Sequence, residues 1–303
     1  MKILIYGTGG IGGFLGAFLL QSIHKVTFLA RGKTFKKFSE SGITLKSKIK
    51  NITEKKINLF DELKDCPEID IVILAVKLYD LNFALDDLKQ NGKGDFIILP
   101  FQNGVVAEDL ISQKFGNGKV FGGVAQISSF LNTNKEIIHN GKLASFFIGE
   151  ISANLKYIDI VKKFCESIKY LGIDFRYSKK IKQKIWDKFI FLSAYSGVTT
   201  LTSMTIGQIF NDKESKGLFV QAMKETYNLA QKLKIRFDYN PVEVWSERIL
   251  KMPKNSSSSM FLDFKNCKHL ELDWLSGSVV KMCSEHCIGY DAHQKIVTGI
   301  KSK

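Results

Sequence analysis

Proline is scarce, with 4 in 303 residues, so the chain has no proline-rich linker; no low-complexity tract appears either, and the one biased stretch, Asn255-Ser256-Ser257-Ser258-Ser259, reads as a loop ending in a helix N-cap. Cysteine is sparse too. The five (Cys66, Cys165, Cys267, Cys283, Cys287) are an odd number scattered over a long chain. That excludes a disulfide scaffold and fits a protein of the reducing cytoplasm. Cys283, His286 and Cys287 sit about one helical turn apart and make half a metal site at most. No second pair stands at zinc-finger spacing, so no metal is expected. Long hydrophobic runs are missing as well, and no segment reads as a bilayer span. The apolar opening, residues 1–20, is broken by Gly7, Gly9, Gly10, Gly12, Gly13 and Gly16, which argues against a signal peptide. Basic residues exceed acidic ones, 44 − 30 = +14, yet they form no compact block. A nucleic-acid arm is therefore not expected, and the excess suggests affinity for other anions: phosphates, carboxylates or acidic lipid.

What is present is a globular composition, 45% apolar and 24% charged, long enough for two domains. Lys2-Ile3-Leu4-Ile5-Tyr6 reads as a buried parallel strand. Gly7-Thr8-Gly9-Gly10-Ile11-Gly12 follows as a G-x-G-x-x-G, then an apolar helix over 14–20 and a second strand over 25–29. Strand, glycine turn, helix and strand within about thirty residues is the dinucleotide-binding unit. In it Gly7 serves the tight turn, Gly9 the approach of the pyrophosphate and Gly12 the packing of helix on strand. The free N–H groups of the helix start then face the phosphates.

The end of the second strand selects the cofactor. An enzyme for NAD carries an acidic residue there for the ribose 2′-hydroxyl. No acid occurs before Glu40; Arg31 and Lys33 stand at the place instead. A guanidinium pairs a 2′-phosphate, so NADPH is the expected cofactor. Further buried strands are read over 69–76, ending at Lys77, and 96–100, ending at Gln102-Asn103-Gly104. Both ends lie at the carboxyl edge where ligands bind, and Asn103 suits a contact to nicotinamide ribose or substrate. Short strands are expected over 120–129, 136–139 and 145–149, a helix over 154–170 and a strand over 174–177.

From residue 181 strand patterns vanish. Helices are expected over 180–197, 205–211, 213–234, 241–250, 258–287 and 290–301. The resulting domains are 1–178, an α/β Rossmann-type cofactor-binding domain, and 179–303, an all-α substrate and catalytic domain. Two charges stand out by helical phase. Lys188 shares a face with Leu192 and Tyr195 on a nearly continuous apolar helix. Glu271 falls within the stripe Met260, Phe264, Cys267, Trp274, Leu275 and Met282. Charges so placed require a partner or a function.

Taken in order, these pieces resemble the ketopantoate reductase (2-dehydropantoate 2-reductase) family over the whole chain. They are the glycine turn after Lys2–Tyr6, Val76-Lys77, Gln102-Asn103-Gly104, Trp186-Asp187-Lys188-Phe189, and Ser258-Ser259-Met260 leading to Glu271-Leu272-Asp273 and Gly277. The resemblance implies a Rossmann domain followed by a helical one. It also implies NADPH-dependent reduction of ketopantoate to pantoate, on the route to coenzyme A. It makes Lys188 the catalytic general acid and Glu271 its partner. Lys77 and Asn103 fall beside the cofactor, Arg31 at the 2′-phosphate, and Ser259 at the substrate. The family often has substrate-binding asparagines where this chain has Leu192, Ser196 and Ile206; Ser196 remains a polar candidate. The substrate is thus a small 2-keto acid, with ketopantoate first and a related acid second. A catalytically silent NADPH-binding module is the alternative of another class, disfavoured because both Lys188 and Glu271 are present. A monomer and a homodimer are equally compatible with the sequence.

Overall fold

The computed structural model describes residues 1–303. The chain divides into two compact units, Met1–Gln102 with Val106–Ile181, and Asn103–Val105 with Lys182–Lys303.

The first unit is built on one mixed sheet of ten strands: β1 (Lys2–Tyr6), β2 (Lys25–Leu29), β3 (Ile43–Ser47), β4 (Ile52–Glu54), β5 (Asn58–Phe60), β6 (Ile71–Leu74), β7 (Ile97–Pro100), β8 (Lys119–Leu131), β9 (Ile137–Ala153) and β10 (Asp174–Tyr177). Its helices are α1 (Gly10–Leu19), α2 (Gly32–Ser41), α3 (Leu81–Asn91), α4 (Ala107–Phe115) and α5 (Leu155–Ser167). The parallel part runs β5-β2-β1-β6-β7-β8. This is the doubly wound order, with its reversal between β1 and β6, where such sheets bind ligands. Ile3, Leu4, Ile5 and Tyr6 are all buried, because helices cover both faces of a parallel sheet; an unbroken apolar run is the consequence. Phenylalanine rings fill the core, with Phe146 stacked on Phe175 at 5.9 Å and Phe14 tilted against Phe18 at 4.8 Å.

The three short strands expected over 120–149 are in fact two long antiparallel ones, β8 and β9. The sequence pattern breaks at Asn140-Gly141-Lys142, where Gly141 has a φ of +80°. The chain absorbs the break as a bulge: Ile127 pairs with Ala144 and Ser129 with His139. A bulge interrupts alternation without ending a strand.

The second unit is all helix: α6 (Ile181–Thr202), α7 (Ile206–Asn211), α8 (Lys213–Lys232), α9 (Pro241–Ile249), α10 (Ser259–Lys265), α11 (Ser276–Glu285) and α12 (Asp291–Lys301). The starts carry their caps. Thr205 forms a reciprocal box with Gln208, Asp212 accepts from Ser215 N, and Asn240 precedes Pro241; each satisfies N–H groups that have no partner inside the helix. In the core, α6 hides hydroxyls among apolar side chains by returning them to its own backbone. Thr199 Oγ1 donates to Tyr195 O at 2.6 Å and Thr200 Oγ1 to Ser196 O at 2.7 Å, the usual way a helix tolerates buried threonine.

The single helix expected over 258–287 is three pieces. Ser258 caps α10, its Oγ accepting from Phe261 N. The helix ends through Cys267, whose φ is +49°. Cys267 N donates to Phe264 O at 3.0 Å and Lys268 N to Asp263 O at 2.9 Å, the paired bonds of a Schellman stop. A 3-10 turn, Leu272–Trp274, then leads into α11. Cys267 is consequently exposed, not part of a core stripe.

Candidate active site

Tyr6 ends β1 beside the place where β6 ends, and Gly7 makes the turn with a φ of +98°, a conformation open to glycine. At Gly12 a Cβ would come within 2.0 Å of Gly7 O; the helix packs that closely on the turn. Gly9 is different. Its φ of −75° is open to any residue, and a Cβ there would meet nothing within 4 Å. No contact inside the protein calls for glycine at that position, whereas a phosphate group approaching the backbone does. Helix α1 starts there with no acidic residue in its first turn and no side-chain cap, so its first N–H groups remain open to an anion. Next to the turn lies a cavity of about 340 Å³ whose walls include Gly7, Thr8, Gly9, Arg31, Thr34 and Phe83. Turn, helix start and cavity fit a dinucleotide.

Arg31 precedes α2 and reaches this cavity. Its Nη2 donates to Asp87 Oδ2 at 2.8 Å and to the Tyr6 hydroxyl at 3.3 Å, and its Nε to Asp61 O at 3.4 Å. The guanidinium lies 4.7 Å from the centre of the Phe83 ring. Tyr6 in turn donates to Asp87 Oδ2 at 2.6 Å. Burial and this carboxylate push the tyrosine hydroxyl's pKa upward, keeping it a donor. Lys77 caps the 3-10 turn Leu78–Asp80 that follows β6, and is half-buried.

In the second unit Lys188 stands on α6. Its Nζ donates to Asn103 Oδ1 at 2.8 Å, and Glu271 is near enough to favour its charge. Burial outweighs that help, and the ammonium's pKa falls from 10.5 to about 8. Glu271 is 4% exposed and sits just before the 3-10 turn Leu272–Trp274. Three residues singled out from separate parts of the sequence, Asn103, Lys188 and Glu271, are therefore neighbours. The turn of α6 carrying Lys188 is anchored by Asp187, whose backbone carbonyl accepts from Trp245 Nε1 at 2.9 Å. The Asp187 carboxyl is itself buried, and its pKa is raised for that reason.

The remaining candidates fall as follows. Ser259 is exposed at the first position of α10, while its neighbour Ser258 is buried and hydrogen-bonded to Thr199 Oγ1 at 2.7 Å. Leu192 is half-buried. Ser196 is 1% exposed, with an unpartnered hydroxyl. Ile206 belongs to the helical core. Sequence reasoning missed Tyr6, Phe83 and Asp87. Phe83 and Asp87 lie one turn apart on α3, and their common face with Arg31 has no local sequence signal.

Fold and site together define a dinucleotide-dependent oxidoreductase. Residues 3–153 match the family model described as ketopantoate reductase PanE/ApbA, and residues 180–303 the one described as ketopantoate reductase PanE/ApbA C terminal. The chain belongs to the ketopantoate reductase family. It is 27% identical over 281 residues to the uncharacterized oxidoreductase YkpB of Bacillus subtilis, covering 93% of this chain and 91% of that protein. It is 25% identical over 315 residues to the 2-dehydropantoate 2-reductase of Aquifex aeolicus, covering 100% and 97%. The same fold recurs in the PanE/ApbA family ketopantoate reductase from Ralstonia eutropha JMP134, with a TM-score of 0.89 at 20% identity, covering 100% of this chain and 98% of that one. It recurs also in a D-mandelate dehydrogenase solved with NADH and anilino(oxo)acetate, with a TM-score of 0.89 at 19% identity, covering 100% and 97%. No helix is long and apolar enough to cross a membrane.

Proposed function

We propose that this chain reduces the ketone of 2-dehydropantoate to a hydroxyl with NADPH. The observation that carries the reading is Lys188, a lysine in an apolar helix with its Nζ on Asn103 and its charge supported by Glu271. Bound NADPH supplies the hydride that adds to the keto carbon. With a pKa of about 8, Lys188 is mostly an ammonium at neutral pH. It donates a hydrogen bond to the keto oxygen, stabilises the charge that develops there and hands over the proton. Glu271 restores charge balance around it, and Asn103 holds Nζ in place. The start of α1 binds the pyrophosphate, Lys77 lies on the cofactor side, and Arg31 contacts the 2′-phosphate. Ser259 is the exposed hydroxyl available to substrate.

A second reading keeps this chemistry and changes the acid. Where the family often has asparagines, Leu192 offers no donor, Ser196 is sealed and Ile206 lies in the core. Fewer groups read the substrate hydroxyl, so selectivity against apolar 2-keto acids is weak.

The test is NADPH oxidation with ketopantoate, ketoisovalerate and other small 2-keto acids. Lys188→Ala is expected to lower kcat by about 10²–10⁴ with NADPH binding retained. Arg31→Ala is expected to weaken NADPH about tenfold to a hundredfold, with NADH little changed. Turnover of no keto acid, or full activity in Lys188→Ala, overturns the proposal. A high ketopantoate to ketoisovalerate ratio of kcat/KM eliminates the second reading.

A further inference from the structure

Arg31 is not a lone guanidinium waiting for a phosphate. The carboxylate that holds it, Asp87 on α3, is itself fully engaged. Oδ2 accepts from both Tyr6 and Arg31, and Oδ1 accepts from Asn91 Nδ2 at 2.8 Å. The Asp87 side chain is 10% exposed and that of Arg31 45%, so the pair has one face in the protein and one toward solvent. Phe83, 58% exposed, lies under the guanidinium and shares the cavity wall with it. The result is a flat cationic surface held by hydrogen bonds to Asp87, Tyr6 and Asp61, with a half-buried carboxylate directly behind it.

These facts have two consequences of opposite sign. Anchoring Arg31 lowers the entropy lost when it grips a phosphate, which favours binding. A carboxylate 2.8 Å from the guanidinium also offsets its charge, which weakens attraction for a dianion. The offset acts on a 2′-phosphate and hardly on a 2′-hydroxyl. We infer that Asp87, with Tyr6, is a positioning residue that presents Arg31 to the adenosine 2′ group while tempering its charge, so that the chain discriminates NADPH from NADH less than its arginine alone would. The inference rests on the reading of Arg31 as the 2′-phosphate contact.

Dissociation constants for NADPH and NADH, measured by nucleotide fluorescence on the full chain, separate the two effects. Asp87→Asn keeps an acceptor for Tyr6 and Arg31 and removes the charge. NADPH should bind about threefold to tenfold more tightly and NADH within twofold of the parent. Asp87→Ala removes charge and anchor together, and should bind NADPH about threefold or more weakly than Asp87→Asn does. Tyr6→Phe keeps the ring and both charges and loses one anchor; it should weaken NADPH by about threefold with NADH unchanged. That variant carries the test if the carboxylate replacements do not fold. An NADPH to NADH ratio unmoved in Asp87→Asn overturns the tempering. Equal NADPH binding by Asp87→Asn and Asp87→Ala, or an unaltered ratio in Tyr6→Phe, overturns the positioning. Arg31→Ala is the control: if it leaves the ratio untouched, the assignment of the 2′-phosphate contact has failed instead.

Discussion

At the scale of single residues, the burial of Lys188 sets the role proposed for it against stability. Its pKa is about 8 in the folded chain against 10.5 unperturbed. Between those values the unfolded chain binds the proton more tightly, so stability rises with pH across that window. Below about pH 8 the cost of holding the ammonium in an apolar helix is fully present. Lys188→Met keeps the aliphatic stem and removes the charge. It should raise stability at pH 7 by up to about 3 kcal/mol, less where the half-buried head keeps some water. The gain should fade toward pH 10.5 and reduction should be lost. Urea unfolding at pH 7 and pH 10 measures this; an equal gain at both would show that the cost is packing, not charge. On the mechanism proposed for Lys188, the same pKa should make kcat/KM for keto-acid reduction fall as pH rises through about 8, because the proposed general acid loses its proton.

At the scale of elements, the break after α10 decides where Glu271 goes. Helical phase alone puts Glu271 on a continuous stripe with Cys267 and Trp274. The Schellman stop at Cys267 resets that phase, and the loop returns Glu271 to the interior by another route. A non-glycine residue at a φ of +49° carries a steric cost that glycine avoids. Cys267→Gly should therefore stabilise the chain by about 0.5–1 kcal/mol, visible as a higher denaturation midpoint with activity unchanged. A lower midpoint would mean that the exposed thiol makes contacts worth more than the strain. The stop was not legible because nothing but geometry marks it: no Gly or Asn stands at 267. The glycine turn after β1 was legible because each glycine there answers a local need, a positive φ at Gly7, close packing at Gly12 and open space at Gly9.

At the scale of the whole molecule, the excess of +14 is spread over the chain and raises the local concentration of anionic ligands. Salt shortens the reach of that field from about 30 Å at 0.01 M to about 8 Å at physiological strength. The KM for NADPH should therefore rise about threefold to tenfold over that range, and more than the KM for NADH, while kcat stays level. A salt-independent KM would confine the electrostatics to the contacts proposed at Arg31 and the start of α1.

The sequence by itself determined the order of β1, glycine turn, α1 and β2, and the change from mixed sheet to helices near residue 180. Both follow from periodicity and from residue types that permit one local conformation. It also marked Lys188 and Glu271, since a charge in an apolar pattern is visible without coordinates. Only the tertiary structure decided that Asn103 receives the Lys188 hydrogen bond, that Ser196 is sealed while Ser259 is exposed, and that Asp87 stands behind Arg31. Those pairings join residues 85 and 56 positions apart. Their proximity depends on how helices and strands pack, and packing depends on shape and burial summed over many side chains rather than on any local run of residues.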